Sequence, residues 1–273
     1  MDDREHTRRA FLIGAGVLAA GAGLDAFLIE PNWLEVTRHE VPIAGLPQEL
    51  DGFTIVQISD AHLKRIGAVE EAIVRVVQTE SVQLVVLTGD IVDSASTLDV
   101  LQAFCDTLRR KGTVVLAALG NWEHWGEVPL VELGKLYSRV GVQLLVNAAV
   151  LLPGGIRVYA TDDSTGGSPR VGTLYDDSAA TTLLVSHSPA FLDTTAFKPK
   201  TFGLALSGHT HGGQIRLGPK GVPFRPQGCG RFVGGWYDTT GGRAYVSRGT
   251  GTSILPARFI CRPELPILRL RRA

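Results

Sequence analysis

Cysteine is scarce: Cys105, Cys229 and Cys261 are the only three in 273 residues. So sparse a set excludes a disulfide-stapled scaffold and any CxxC zinc ribbon. Net charge is missing as well, because 27 basic side chains balance 27 acidic ones. That argues against a bulk nucleic-acid binder, which carries a basic excess. There is no GxSxG elbow, no P-loop and no HExxH helix, so three common catalytic and nucleotide-binding sites are absent. A hydrophobic fraction of 44% excludes wholesale disorder, and the length suits one large domain.

What is present begins with an unusual N-terminus. Thr7-Arg8-Arg9 stands directly ahead of an apolar run, Phe11 to Leu24, rich in Gly and Ala. A twin arginine before such a run has the form of a twin-arginine export signal. The alternatives are a short N-terminal membrane anchor or a soluble Ala/Gly helix. Asp25 ends the run short of the roughly 20 residues of a spanning helix, and Ala20-Gly21-Ala22 offers small residues for cleavage. Residues 1–30 are therefore set apart as a signal or anchor, and 31–273 as the domain. The implied partner is the twin-arginine translocation machinery. The implied location is the periplasm, the cell wall or the extracytoplasmic face of a membrane.

The rest alternates. Apolar runs over 53–58, 84–87 and 114–119 predict buried strands, and the spacing over 68–79, 98–108 and 128–140 predicts helices, the last interrupted by Gly134. Continuous β-branched runs between amphipathic helices are the pattern of stacked βαβ units. The second half is strand-rich, with strands expected at 143–146, 149–152, 156–160, 183–185, 204–206, 214–217, 243–247 and 267–270. Loops are expected at 166–169 and 218–230. The expected fold is α/β, a two-sheet αββα sandwich.

The strand ends carry the chemistry. Asp60 with His62, Asp90, Asn121, His187, and His209 with His211 each follow an expected strand, and strand ends of an α/β sheet converge on one edge. Any one of these residues has an ordinary explanation, since His in loops is usually solvated and Asp caps helices. Five of the seven histidines lie near strand ends, beside two carboxylates and an Asn, and turn chemistry does not produce that grouping. His6 and His39 fall in the N-terminal flank and receive no role. Imidazole and carboxylate without thiolate suit Mn, Fe, Zn or Co. About seven candidate ligands are too many for one catalytic ion, whereas two ions sharing a carboxylate would use them all.

The segments Asp60-Ala61-His62, Gly89-Asp90-Ile91-Val92-Asp93, Gly120-Asn121, Ser186-His187 and Gly208-His209-Thr210-His211 resemble the five ordered motifs of the calcineurin-like metallophosphoesterases. Gly212-Gly213-Gln214, the stretch from Val246 to Gly251, Arg258 and the run Cys261-Arg262-Pro263-Glu264 resemble an exported or membrane-associated bacterial subgroup of that family. The resemblance implies that Asp60, His62 and His211 hold one metal, that Asn121, His187 and His209 hold the other, and that Asp90 bridges them. Asp93 would orient a ligand histidine. A hydroxide between the ions would then attack phosphorus in line. The substrate would be a phosphomonoester, phosphodiester or pyrophosphate, small or lipid-linked in the envelope.

One position departs from the family. Its third motif usually places a histidine after the Asn, as the group that protonates the leaving group, and here Trp122 stands there. His124, two residues on, is the candidate replacement acid; the other reading makes it a loop residue and Trp122 a pocket wall. Arg248 is a candidate phosphate contact, or else an ion-paired or turn residue. Trp122, Trp125, Phe224, Phe232, Trp236 and Tyr237 could line an apolar rim, although aromatics more often pack in cores. Cys105 is expected in the core, and Cys229 and Cys261 are close enough to pair only if the fold allows it. Two readings compete with the hydrolase. One is a metal-binding envelope protein that has lost turnover through Trp122, and the other is an α/β envelope protein with incidental histidines.

Overall fold

The computed structural model describes residues 3–171, 179–199, 201–218 and 221–273, and of residues 3–8 and 10 the backbone alone. The side chains of His6 and Arg8, and the loop positions Pro219 and Lys220, therefore lie outside the described residues.

The apolar runs form strands buried on both faces. β1 (Glu35–Ile43), β2 (Thr54–Ile58), β3 (Leu84–Leu87), β4 (Val114–Ala117), β5 (Val142–Leu144) and β12 (Glu264–Arg272) make one six-stranded sheet, ordered β1-β12-β2-β3-β4-β5. β6 (Ala148–Leu151), β7 (Ile156–Ala160), β8 (Thr181–Val185), β9 (Leu204–Ser207), β10 (Gly235–Asp238) and β11 (Arg243–Val246) make the second, ordered β10-β11-β9-β8-β7-β6. Both are mixed: β2 to β5 run parallel, as do β7 to β9, while β12 opposes β2 and β6 opposes β7.

The two-residue period of a strand sorts neighbouring side chains to opposite faces. Ile55, Leu84, Val86 and Leu116 face Val158, Leu183, Val185, Leu204 and Leu206 of the other sheet. Their neighbours Val56, Val85 and Leu87 face outward onto α2 (Ala68–Thr79), α3 (Leu98–Leu108) and α5 (Leu130–Arg139), against Ile73, Phe104 and Leu133. The outer face of the second sheet is covered differently. Among the described residues, Leu192 of a 3₁₀ turn and the loop aromatics Phe197, Phe202 and Phe232 close it. Cys105 is buried among α3 and its neighbours.

Several elements depart from the sequence expectation. The strand expected at 214–217 is absent. His211–Gly213 forms a 3₁₀ turn, Gly212, Gly213 and Gln214 have positive φ, and a single bridge joins Ile215 to Phe259. Edge strands β1 and β10 form where none was expected, and α4 (Asn121–Trp125) forms ahead of α5. The N-terminal helix α1 (Asp3–Leu24) does not stop at Asp25. It continues through a π turn, Asp25–Ile29, and a 3₁₀ turn, Glu30–Asn32. The 22-residue stretch Phe11–Asn32 contains an 18-residue window with a mean hydropathy of 2.0 and is long and apolar enough by length and composition to cross a membrane, because 1.5 Å per residue spans the ~30 Å hydrocarbon layer.

Candidate metal centre

The candidate ligands meet at one edge of the sandwich. Asp60 follows β2, Asp90 follows β3, Asn121 opens α4 after β4, His187 follows β8, and His209 and His211 follow β9. Asp60, His62 and His211 bring one ligand atom each within 4.8 Å of one another, and so do Asp90, His187 and His209. All six are buried.

The backbone is bent to do this. Asp60, His62, Asp90, His209 and His211 have φ of 51°, 44°, 53°, 68° and 48°, left-handed values at which side chains other than Gly are strained by about 1–3 kcal/mol each. Two motif glycines make room. A Cβ on Gly89 would lie 2.7 Å from His187 Nδ1, and one on Gly120 would lie 2.2 Å from Asp90 Oδ1.

Hydrogen bonds fix which imidazole nitrogen carries the proton. His187 Nδ1 donates to the Thr88 carbonyl (2.9 Å), His209 Nε2 donates to the Gln227 carbonyl (2.6 Å), and His62 Nδ1 donates to Asp93 Oδ1. In the neutral ring the other nitrogen is then a lone pair. His209 Nδ1 faces Asn121 Oδ1 at 2.7 Å, His62 Nε2 faces His211 Nε2 at 3.1 Å, and His187 Nε2 lies 3.1 Å from Asp90 Oδ2. Asp60 Oδ2, His187 Nε2 and His211 Nδ1 are buried without a hydrogen-bond partner. Acceptors converging on acceptors in a buried site are what a cation relieves, so these residues fit divalent metals of the borderline class. Asp90 Oδ2 also lies 4.0 Å from His62 Nε2, between the two clusters.

The field points the same way. Burial opposes charge on His187 and His62, yet Asp90 and Asp60 beside the first, and Asp93 and Asp90 beside the second, outweigh it and raise both imidazoles above their ordinary value. Burial lowers His209 and His211, the latter helped by His62 and Arg258. The carboxylates thus hold positive charge where the ligand atoms converge.

Three contributors lie outside the five motifs. Glu123 is buried and accepts the amides of Gly120 (2.8 Å), Asp90 (3.0 Å), Ile91 (2.7 Å) and Val92 (3.3 Å), which pins the left-handed Asp90 turn. Burial, then the Asp90 charge, push its carboxyl up to about 7. Its spacing from Gly120, that of a helix-capping glutamate, was the available signal. Arg258, fully buried, donates to the carbonyls of Arg248, Gly249, Gly251 and Cys261. Asp163 binds Ser188 Oγ (2.5 Å), Thr165 and the Gly166 amide. Burial would raise that carboxyl, but His187 and these hydrogen bonds hold it down at about 2.

The remaining candidates are distributed. Asn121 and His124 share one face of α4 at i, i+3, and His124 Nε2 lies 2.7 Å from Asp162 Oδ1. Trp122 sits edge-on to the His62 ring at 6.0 Å, and Trp125 packs against Trp122 and is exposed. Phe224 is exposed, Phe232 is in the core against Tyr237, and Trp236 packs on His39 and Tyr245. Arg248 is ion-paired to Glu35 (2.7 Å) and Glu264 (3.2 Å). Cys229 and Cys261 are both free and buried.

The segment that carries these residues is similar to known proteins. The calcineurin-like phosphoesterase family matches residues 53–213, which include all seven candidate ligands. The chain is 34% identical to the uncharacterized metallophosphoesterase YkuE of Bacillus subtilis, over 98% of this chain and 99% of that one. It is 28% identical to the phosphodiesterase YaeI of Escherichia coli, over 97% and 99%. A transmembrane protein with metallophosphoesterase domain of Bos taurus is 30% identical over 87% of this chain and 57% of its own length.

Proposed function

Because the chain belongs to the calcineurin-like phosphoesterase family and is thereby a phosphoric ester hydrolase, we propose that it cleaves a phosphomonoester, phosphodiester or pyrophosphate, lipid-linked in the envelope, at a two-metal centre. The observation that carries this is His209 Nδ1 facing Asn121 Oδ1, acceptor against acceptor at 2.7 Å, with Asp60 Oδ2, His187 Nε2 and His211 Nδ1 buried nearby without a hydrogen-bond partner. Two bound ions of the Mn, Fe, Zn or Co class would clamp the phosphoryl oxygens and activate a water. Asp60, His62 and His211 would hold one, Asn121, His187 and His209 would hold the other, and Asp90 would serve both. Asp93 and the carbonyls of Thr88 and Gln227 lock the three ring tautomers.

His124 donates the proton to the leaving group. It stands one helical turn from Asn121, and Asp162 orients its ring. Trp122 gives up the usual histidine and walls the site beside His62. The N-terminal segment directs export by the twin-arginine route and remains as an anchor, since Ala26 and Glu30 at its end are buried against the domain.

The test uses bis-p-nitrophenyl phosphate and p-nitrophenyl phosphate with Mn-loaded protein. Turnover is expected on at least one, lost to chelation and reduced more than about 100-fold by Asp90→Asn. Protein that binds both ions and turns over neither ester would leave a metal-binding envelope protein in place of the hydrolase.

A further inference from the structure

The N-terminal helix enters the domain at the edge that carries the metal centre. β12 runs antiparallel to β2, with Ile267 opposite Val56 and Arg269 opposite Thr54. Its first residue, Glu264, therefore lies at the end of β2 that leads into Asp60. β1 is parallel to β12 with Glu35 opposite Glu264, and the helical segment ends at Asn32, just before it. The junction is fixed. The Arg258 amide donates to the Ala26 carbonyl (2.8 Å), and buried Glu30 accepts the amides of Ile260 and Cys261.

The surface around this junction is apolar. Ile254 is 87% exposed, Trp33 58% and Ile260 52%, and Leu255, Phe27, Leu28 and Ile29 are exposed beside them. Ile254 and Ile260 have φ of 61° and 53°, a strained conformation for a β-branched residue. Both strained positions turn an isoleucine outward, Ile254 almost fully and Ile260 by half. The bend is held open by Gln214, which accepts the Ser253 amide (3.0 Å) and donates to the carbonyls of Ser253 (3.2 Å) and Leu255 (2.8 Å). Trp33 lies under the Arg262 guanidinium, 4.0 Å from its ring centroid, an aromatic and basic pair of the kind found at membrane–water boundaries. The same loop reaches the metal centre, because the Gly251 amide donates to the Asp60 carbonyl (2.8 Å).

We propose that residues 253–260 and Trp33 form a foot that inserts into the bilayer beside the anchor helix. The foot seats the metal-bearing edge against the membrane, so that the phosphate of a lipid-borne ester enters from the bilayer surface. The spanning length and composition of Phe11–Asn32 commit the occupant to lipid, and the inference rests on the helix being retained as an anchor.

The full chain is reconstituted in vesicles of phosphatidylethanolamine and phosphatidylglycerol, carrying Leu18→Cys, Ile254→Cys or Leu151→Cys labelled with an environment-sensitive fluorophore. The three native cysteines are buried, so the label goes to the new thiol. Leu151 is exposed and pairs with Arg157 at the start of β7, at the sheet end away from the metals. Expected are blue-shifted emission at Leu18 and Ile254, lost to a nitroxide-bearing lipid and untouched by aqueous iodide, and the reverse at Leu151. Iodide quenching at Ile254 with Leu18 still in lipid overturns the foot and leaves the anchor. Iodide quenching at Leu18 overturns the anchor, and the foot with it. Shielding of Ile254 in detergent together with a doubled mass assigns the surface to a second copy and overturns the foot. No turnover is read, so an inactive chain would count against the hydrolase alone.

Discussion

Replacing Arg258 by lysine removes a planar five-donor fork from the interior and leaves one ammonium. Arg258 is 0% exposed. Its Nε and Nη2 donate to Gly251 O at 2.9 and 2.6 Å, Nη2 also to Arg248 O (2.8 Å) and Gly249 O (3.1 Å), and Nη1 to Cys261 O (3.0 Å) and, at 3.5 Å, His211 O. An ammonium has three donors, so at least two of these five carbonyls lose the Arg258 hydrogen bond, although Gly249 O still accepts the Glu264 amide (2.9 Å) and His211 O the Gln214 amide (3.0 Å). At about 0.5–1.5 kcal/mol net for each hydrogen bond lost, Arg258→Lys should lose about 1–3 kcal/mol of unfolding free energy, a sizeable share of the ~5–15 kcal/mol typical of a domain. The loss should also be local. His211 is a proposed ligand, and Gly249 lies so close to Asp60 that a Cβ there would sit 2.7 Å from the Asp60 Cβ. The Asp60–His62–His211 ion should therefore weaken more than the other. Urea unfolding gives the first quantity, and Mn titration of the wild type and the variant gives the second. Unfolding free energies equal within about 0.5 kcal/mol, with both Mn affinities unchanged, would refute the positioning role.

Glu123→Gln turns an NH₂ group toward two amide donors and should lower unfolding free energy by about 2–6 kcal/mol while weakening Mn binding; an unmoved urea midpoint would contradict it. His124→Ala should lower kcat by about 10²–10⁴ on alkyl phosphates and less on p-nitrophenyl esters; near-wild-type turnover on both ends its role as acid. Glu264 is buried, which opposes ionisation, but Arg248, the Tyr245 hydroxyl (2.6 Å) and the Arg248 amide outweigh burial and hold its carboxyl below the ordinary 4.5. Its stabilisation is therefore complete above about pH 4.5 and lost as pH falls through the lower folded value. The stability gap between wild type and Glu264→Gln should shrink on acidification; a gap independent of pH would sink that reading.

The metal-ligand candidates were legible because each follows an apolar strand run, and parallel strands bring their ends to one edge. Asp60, Asp90, Asn121, His187, His209 and His211 stand where that logic puts them. What the sequence hid has physical reasons. β1 reads as polar flank because Thr37, Arg38, His39 and Glu40 lie on an edge strand that β12 completes from more than 200 residues away. α4 is five residues long, too short to show a helical period. The 214–217 run looked like a strand, but positive-φ Gly212 and Gly213 turn the chain there, and Arg216 Nε folds back onto the Gly212 carbonyl (2.7 Å). Asp25 looked like the end of the apolar run, although one carboxylate does not stop a helix whose next residues, Ala26-Phe27-Leu28-Ile29, are apolar. Arg258 carried no signal of burial, because an arginine reads as surface until its carbonyl partners are known.

The most direct test is anomalous diffraction from crystals of the Mn-loaded protein. Two peaks about 3.5–4 Å apart are expected, one among Asp60, His62 and His211, the other among Asn121, His187 and His209, with Asp90 between them. No peak, or a single peak away from Asp90, would contradict the two-metal centre.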